Sequence, residues 1–350
     1  MGLTAAPRLL LLLSAAACLA LGVAGGLARL GLPVQAPSAA AFHGAIMISG
    51  FLGTVISLER AVALGNRWAY AAPLAAALGT LLPLAGFHAV GIALWLAAPL
   101  LLLVASIAIA RRQPEAHTVL LAIAAGAWGI GNAIYATRFT GAAPAWWFAF
   151  LVLTIAAERL EMTRLTRRPP AALPAFLAIV ALLIAAACLS LGGGRVGPIA
   201  YGAALFALAA WLALYDIARR TVRTQGFARY AAVALLSGYA WLAVAGIAWA
   251  LGDSRDVALH ALGLGFVFSM ILAHAPLIVP VVLRRKLAYV PFFYVPLALL
   301  HLSLLWRFVP GAADAGMRAA AGVMNAAAIV LFAVTVVVAI RRGGERGTPP

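Results

Sequence analysis

The run from Val257 to Leu283 carries no charged residue, yet it holds two histidines, His260 and His274. At 1.5 Å per residue a helix over this run crosses a hydrocarbon core of about 30 Å. In lipid a helix satisfies its own backbone polar groups, which leaves such a stretch few alternatives. At about 100° per residue, the interval from His260 to His274 comes to within roughly 40° of four full turns, so the two imidazoles are expected on nearly one face, about 21 Å apart along the axis. Ionisable groups at that depth are costly, usually face the bundle interior, and mark a functional site by default.

The rest of the chain has the same character. Hydrophobic residues make up 65% of the 350 residues and charged ones only 10%, which describes a polytopic membrane protein with no separate soluble domain. The expected fold is therefore a single all-α integral membrane unit over residues 1–350. A net charge of +16 in a soluble protein would suggest nucleic acid. Here the cations flank apolar segments, so topology explains them and no nucleic-acid partner is expected. Cys18 and Cys188 both lie in apolar segments, and no Cys-x-x-Cys or Cys-x-x-Cys-His occurs. That spacing gives no support to covalently attached haem or cysteine-ligated zinc. No Gly-x-x-x-x-Gly-Lys or His-Glu-x-x-His is present either, so ATP hydrolysis and zinc peptidase chemistry have no basis, and whether the chain is an enzyme stays open.

The first apolar run, from Leu9 to about Leu30, is longer than a signal-peptide core and reads as a spanning helix. Spans are predicted near 9–31, 38–64, 68–87, 89–110, 116–137, 144–161, 171–192, 197–218, 227–251, 256–283, 289–309 and 315–340, with Gly, Pro and Arg at the joints. Alternating the ends of twelve spans places 19 of the 25 Lys and Arg on the side of the N-terminus. The other side keeps Arg29, Arg138, Arg195, Arg255, Arg307 and Arg318. That bias predicts twelve spans with both termini cytoplasmic.

Three imidazoles share a depth in this topology. The second and tenth spans both run inward and carry His43 and His260 within about two turns of the outer surface. The eleventh runs outward and places His301 at a similar level. Asp256, one turn before His260, is placed to accept an imidazole N–H and so fix the ring's tautomer, or else simply marks the aqueous end of its helix. His274 lies deeper, and three roles compete for it: proton relay, ligation, or donation to carbonyls freed by Pro276 and Pro280. Asn325 is an alternative partner for His301. Phe266 and Phe268 read as core or as walls for a macrocycle. His88 and His117 read as surface residues. Leu58–Arg60 and Glu158–Glu161 put acidic and basic groups at inner helix ends, as interfacial ion pairs or a proton entry.

The segment His260-Ala-Leu-Gly-Leu-Gly-Phe-Val-Phe-Ser-Met-Ile-Leu, the Leu-Leu-Trp-Arg-Phe-Val-Pro at 304–310 and the long final helix resemble the C-terminal third of the NnrS family. Phe42-His43-Gly44 and Gly50-Phe51 are similar to that family's histidine-containing second span. NnrS proteins are twelve-span bacterial membrane proteins with haem and copper, linked to nitric oxide. More distantly, the second and tenth spans resemble those that carry the low-spin haem ligands in haem–copper oxidase subunit I. The adjacent His-His and His-Pro-Glu motifs of such oxidases are absent. The resemblance implies a b-type haem, with copper as a second candidate, a gaseous ligand such as nitric oxide, and a role in nitrosative stress. Its ligands would be His43 and His260, with His301 and His274 as further candidates. Two other classes remain open: a secondary transporter of a small solute, and a membrane scaffold or assembly factor whose histidines only pack.

Overall fold

The computed structural model describes residues 5–345 apart from 138–140, 166–167, 253 and 284. Four of the arginines weighed in the topology, Arg138, Arg167, Arg284 and Arg346, lie outside the described residues. Among the described residues there is no strand, and the chain is a polytopic bundle of helices. We label the principal helices α1 (Ala5–Arg29), α2 (His43–Leu64), α3 (Ala71–Leu84), α4 (His88–Arg112), α5 (Ala116–Ala136), α6 (Ala143–Met162), α7 (Ala172–Leu189), α8 (Val196–Tyr215), α9 (Gly226–Leu251), α10 (Arg255–Leu283), α11 (Tyr294–Phe308) and α12 (Ala315–Glu345). Eleven helices among the described residues are long and apolar enough to cross a membrane. The remaining predicted span, the third, is α3, which has only 14 residues, or about 21 Å of α-helix, and is extended at its start by a 3-10 turn over Arg67–Tyr70.

Successive helices pack against each other as short-looped antiparallel neighbours, notably α3 with α4, α5 with α6, α8 with α9 and α11 with α12. Glycine sets the closest of these approaches. Gly202 of α8 and Gly246 of α9 face each other so tightly that a Cβ on either would collide with the other's backbone. Small residues that let backbones meet are how helices associate in lipid, where apolar burial between helices brings little. Gly65 and Gly252 end α2 and α9 in the left-handed conformation, at φ +72° and +76°, which a residue with a Cβ enters at a cost.

Helix α10, the charge-free run, packs against α1, α2, α6, α9, α11 and α12. The most enclosed helix is nevertheless α6: 89% of its apolar window is buried, against 56% for α10. Its run Ala143–Leu153 is apolar all round, the pattern of a helix with no lipid-facing side. A closed polar network holds α6 to its neighbours. Trp128 donates to Ser49 Oγ at 2.9 Å, and Ser49 and Trp147 both donate to Asn132 Oδ1, at 3.0 and 2.9 Å. Asn132 in turn donates to the Trp95 carbonyl. Every polar side-chain atom in this set has a partner, so it pins α2, α4, α5 and α6 together.

Two helices depart from regular α geometry, and they are the two with matched histidines. In α2 residues Ile46–Leu52 form a π-helix, and in α10 residues Ala261–Phe268 do. The wider i→i+5 turns advance less per residue. The expectation of a shared face for His260 and His274, which assumed regular α turns, therefore does not follow from this helix, and their axial separation is shorter than α-helical rise gives.

Candidate functional site

His43 opens α2 and His260 ends the first α-helical stretch of α10, each just before a π segment. Below them the two helices meet: the Phe51 and Phe268 rings lie 6.1 Å apart between centroids. Trp147 and Phe148 of α6 stand beside the same segments, 3.8 and 3.7 Å from where a Cβ on Gly44 or Gly263 would be. His43 and His260 lie near enough for a charge on one to be felt at the other, and Arg29 and Arg307 lie within the same reach of His43.

Hydrogen bonds fix both tautomers. His43 Nδ1 lies 2.7 Å from the Gly22 carbonyl oxygen, which can only accept, so Nδ1 carries the proton. Gly26 makes room for this ring: a Cβ there would stand 3.0 Å from its Cε1. His260 Nδ1 lies 3.0 Å from the Asp256 carbonyl oxygen and 3.1 Å from the Asp256 carboxylate, and donates likewise. Asp256 is held in turn by Arg307, whose Nε and Nη2 donate to its two oxygens at 2.8 and 2.7 Å. Each ring thus spends Nδ1 on an outer acceptor and leaves Nε2 with its lone pair, the arrangement that makes imidazole a metal ligand.

The other histidines divide differently. His301 receives the Trp241 indole N–H at Nδ1, 2.9 Å, and donates from Nε2 to Ser237 Oγ, 2.9 Å. Both of its nitrogens are committed to α9, and Asn325, its alternative partner, pairs with Ser303 instead. His274 donates from Nδ1 to the Met270 carbonyl at 2.6 Å, in its own helix. The carbonyl that Pro276 strips of its backbone donor is that of Leu272, and the Tyr230 hydroxyl supplies the missing hydrogen bond at 3.2 Å. At the Leu272 carbonyl the donor is therefore Tyr230 and not His274. His117, expected at the surface, is buried, with Arg164 Nη2 3.3 Å from its Nδ1 and Glu161 3.8 Å from its Nε2. His88 is exposed, as expected. Phe266 is fully buried core, and Phe268 packs on Phe51.

A second polar region lies toward the opposite ends of the same helices. Arg60 of α2 donates to Glu59 at 2.6 Å and to Glu158 of α6 at 2.9 Å. Glu59, Glu158 and His274 line one cavity of about 110 Å³ whose remaining walls are almost wholly apolar. A further cavity of about 210 Å³, between the ends of α8, α9 and α10, is lined by Arg255 and Trp249. Neither cavity is lined by His43 or His260. Among the described residues no group of three or more His, Cys, Asp or Glu could hold a metal ion. For a haem the protein need supply only axial ligands, and the two Nε2 atoms fit that donor chemistry.

Sequence reading missed three of these relationships: the Asp256–Arg307 pair, the Tyr230 donor and the Asn132 network. Opposite charges at the matched outer ends of α10 and α11 were the available signal for the first. Asn132, a turn after Trp128 in an otherwise apolar span, was the signal for the last.

A bundle of long apolar helices of this kind defines a multi-pass membrane protein. Residues 8–341 match the family described as a domain of unknown function (DUF8744), and the chain belongs to that family. No curated protein and no solved structure matches it.

Proposed function

We propose that this chain is a haem-binding protein of a bacterial inner membrane, with both termini in the cytoplasm and with His43 and His260 as the axial ligands of a b-type haem. The observation that carries this reading is the pair of imidazoles on adjoining helices, each with Nδ1 spent on an outer acceptor and Nε2 uncommitted. Asp256 positions His260 and makes its ring more basic, and Arg307 holds Asp256 in place. Arg29 suits the acidic edge of a haem. His301 is left out of the ligand set, because both of its nitrogens are already bonded. Haem, if held by both imidazoles, would supply an iron centre for an electron, and would take a diatomic ligand only where one imidazole gives way. The likeness to the NnrS family directs that chemistry to nitric oxide and nitrosative stress. The test is the optical spectrum and haem content of the purified protein, expressed with haem supplied. A Soret band with one haem per chain supports the reading, and haem-free protein under those conditions rejects it.

A further inference from the structure

The inner cavity holds a charge imbalance that the outer histidines do not explain. Arg60 is one cation shared between two carboxylates, Glu59 and Glu158, at 2.6 and 2.9 Å. With both glutamates ionised, the trio carries one net negative charge beside an apolar cavity, where an uncompensated charge is costly. His274 lines the same cavity, and with Nδ1 bonded to Met270 its Nε2 is the nitrogen left to take a proton.

The surrounding charges do not cancel the excess. His274 feels Arg159, Glu59 and Asp216. Arg159 and Asp216 are themselves a pair, 4.0 Å apart. Glu161 lies within reach of Arg60, and Arg164 is bonded to Glu115 at 2.8 Å, farther toward the helix ends. On α1, Arg8 sits over the Tyr70 ring. Beyond His274, Asp216, Arg159 and the Tyr239 hydroxyl form a buried polar cluster. Buried polar groups hold bound water, and about 110 Å³ is room for several water molecules.

We propose that this cavity is a proton-exchange site in which Glu59, Glu158 and His274 share one proton. In one state the proton is a carboxyl O–H on the glutamate pair and His274 is neutral. In the other, that O–H bond has broken, an N–H bond has formed at His274 Nε2, and the carboxylate faces an imidazolium; water in the cavity carries the proton between them. Both states are electrically neutral over the four groups, which is why exchange between them is cheap. Arg60 serves as the fixed counter-charge.

Infrared difference spectroscopy of the purified protein during a pH titration tests this. The expected result is one titrating carboxyl C=O band that shifts when glutamate is labelled with carbon-13 and stays put when aspartate is labelled. It should vanish in Glu59→Gln or Glu158→Gln and persist in Glu115→Gln, which lies outside the cavity. His274→Leu should remove the imidazole bands that titrate in step with it. Labelling uses the unaltered chain, so a variant that fails to fold does not spoil the test. The absence of any titrating glutamate carboxyl band, or a band indifferent to both Glu59 and Glu158, overturns the proposal.

Discussion

Phe51 and Phe268 meet with their ring centroids 6.1 Å apart, and each stands eight residues after a histidine, His43 in one case and His260 in the other. The contact places two parallel helices side by side, with each phenylalanine inside its helix's π segment and each imidazole just before that segment. π turns are frequent at functional sites and rare elsewhere. Helices α2 and α10 thus share a plan: an imidazole at one end, a widened middle, and a cavity lined by Glu59 and His274 toward the other.

Asp256 links His260 to Arg307, so Asp256→Asn should weaken both the tautomer and the ion pair. Removing one partner of a fully buried pair costs about 3–5 kcal/mol. The Asp256 carboxylate is 37% exposed, so a loss of about 1–3 kcal/mol is expected from solvent screening. Thermal unfolding in detergent measures it. Adding Arg307→Gln to Asp256→Asn should recover part of the loss, because no lone charge is then left behind.

Tyr230 replaces a hydrogen bond that Pro276 removes. Tyr230→Phe should destabilise the fold by about 0.6–1.7 kcal/mol, the range of intramembrane hydrogen bonds. In a Pro276→Ala background the backbone supplies the donor, and the same substitution should cost less. Equal costs in the two backgrounds, measured by a double-mutant cycle, would contradict the assignment. By the same argument His274→Leu should retain near-normal folded yield.

Gly26 is the floor under His43. A Gly26→Leu side chain needs the space the ring occupies, since even a Cβ stands 3.0 Å from Cε1. The expected outcome is a displaced His43 and reduced haem retention with little change in expression. Haem-to-protein ratio reads it directly.

Orientation is open to a fusion test. A reporter active only outside the cytoplasm should be silent when fused after Arg342 and active when inserted at Gly193, between α7 and α8. Activity at Arg342 would mean that α3, the short helix, does not cross.

Much of this architecture is legible from residue order alone, because apolar runs in lipid have little choice but helix. The spans predicted at 116–137 and 256–283 correspond to Ala116–Ala136 and Arg255–Leu283. Depth was legible too, which is why His43 and His260 could be matched. The π segments were not, since a helical reading assumes regular α turns throughout. Nor was the burial of α6, whose apolar run over Ala143–Leu153 carries no face signal. His117 shows a third limit: its place in α5 suggested a surface, and only the pairing of α5 with α6 brings Glu161 and Arg164 against it. Ring-nitrogen commitments depend on such neighbours, so the exclusion of His301 required the positions of Trp241 and Ser237.

The most direct test of the account is the haem spectrum of four proteins prepared alike: the unaltered chain, His43→Ala, His260→Ala and His301→Ala. Loss of either axial imidazole leaves an open coordination position. His43→Ala and His260→Ala should therefore each lose haem or shift the Soret band toward a high-spin form, while His301→Ala keeps the parent spectrum. Unchanged spectra and full haem occupancy in both His43→Ala and His260→Ala would contradict it.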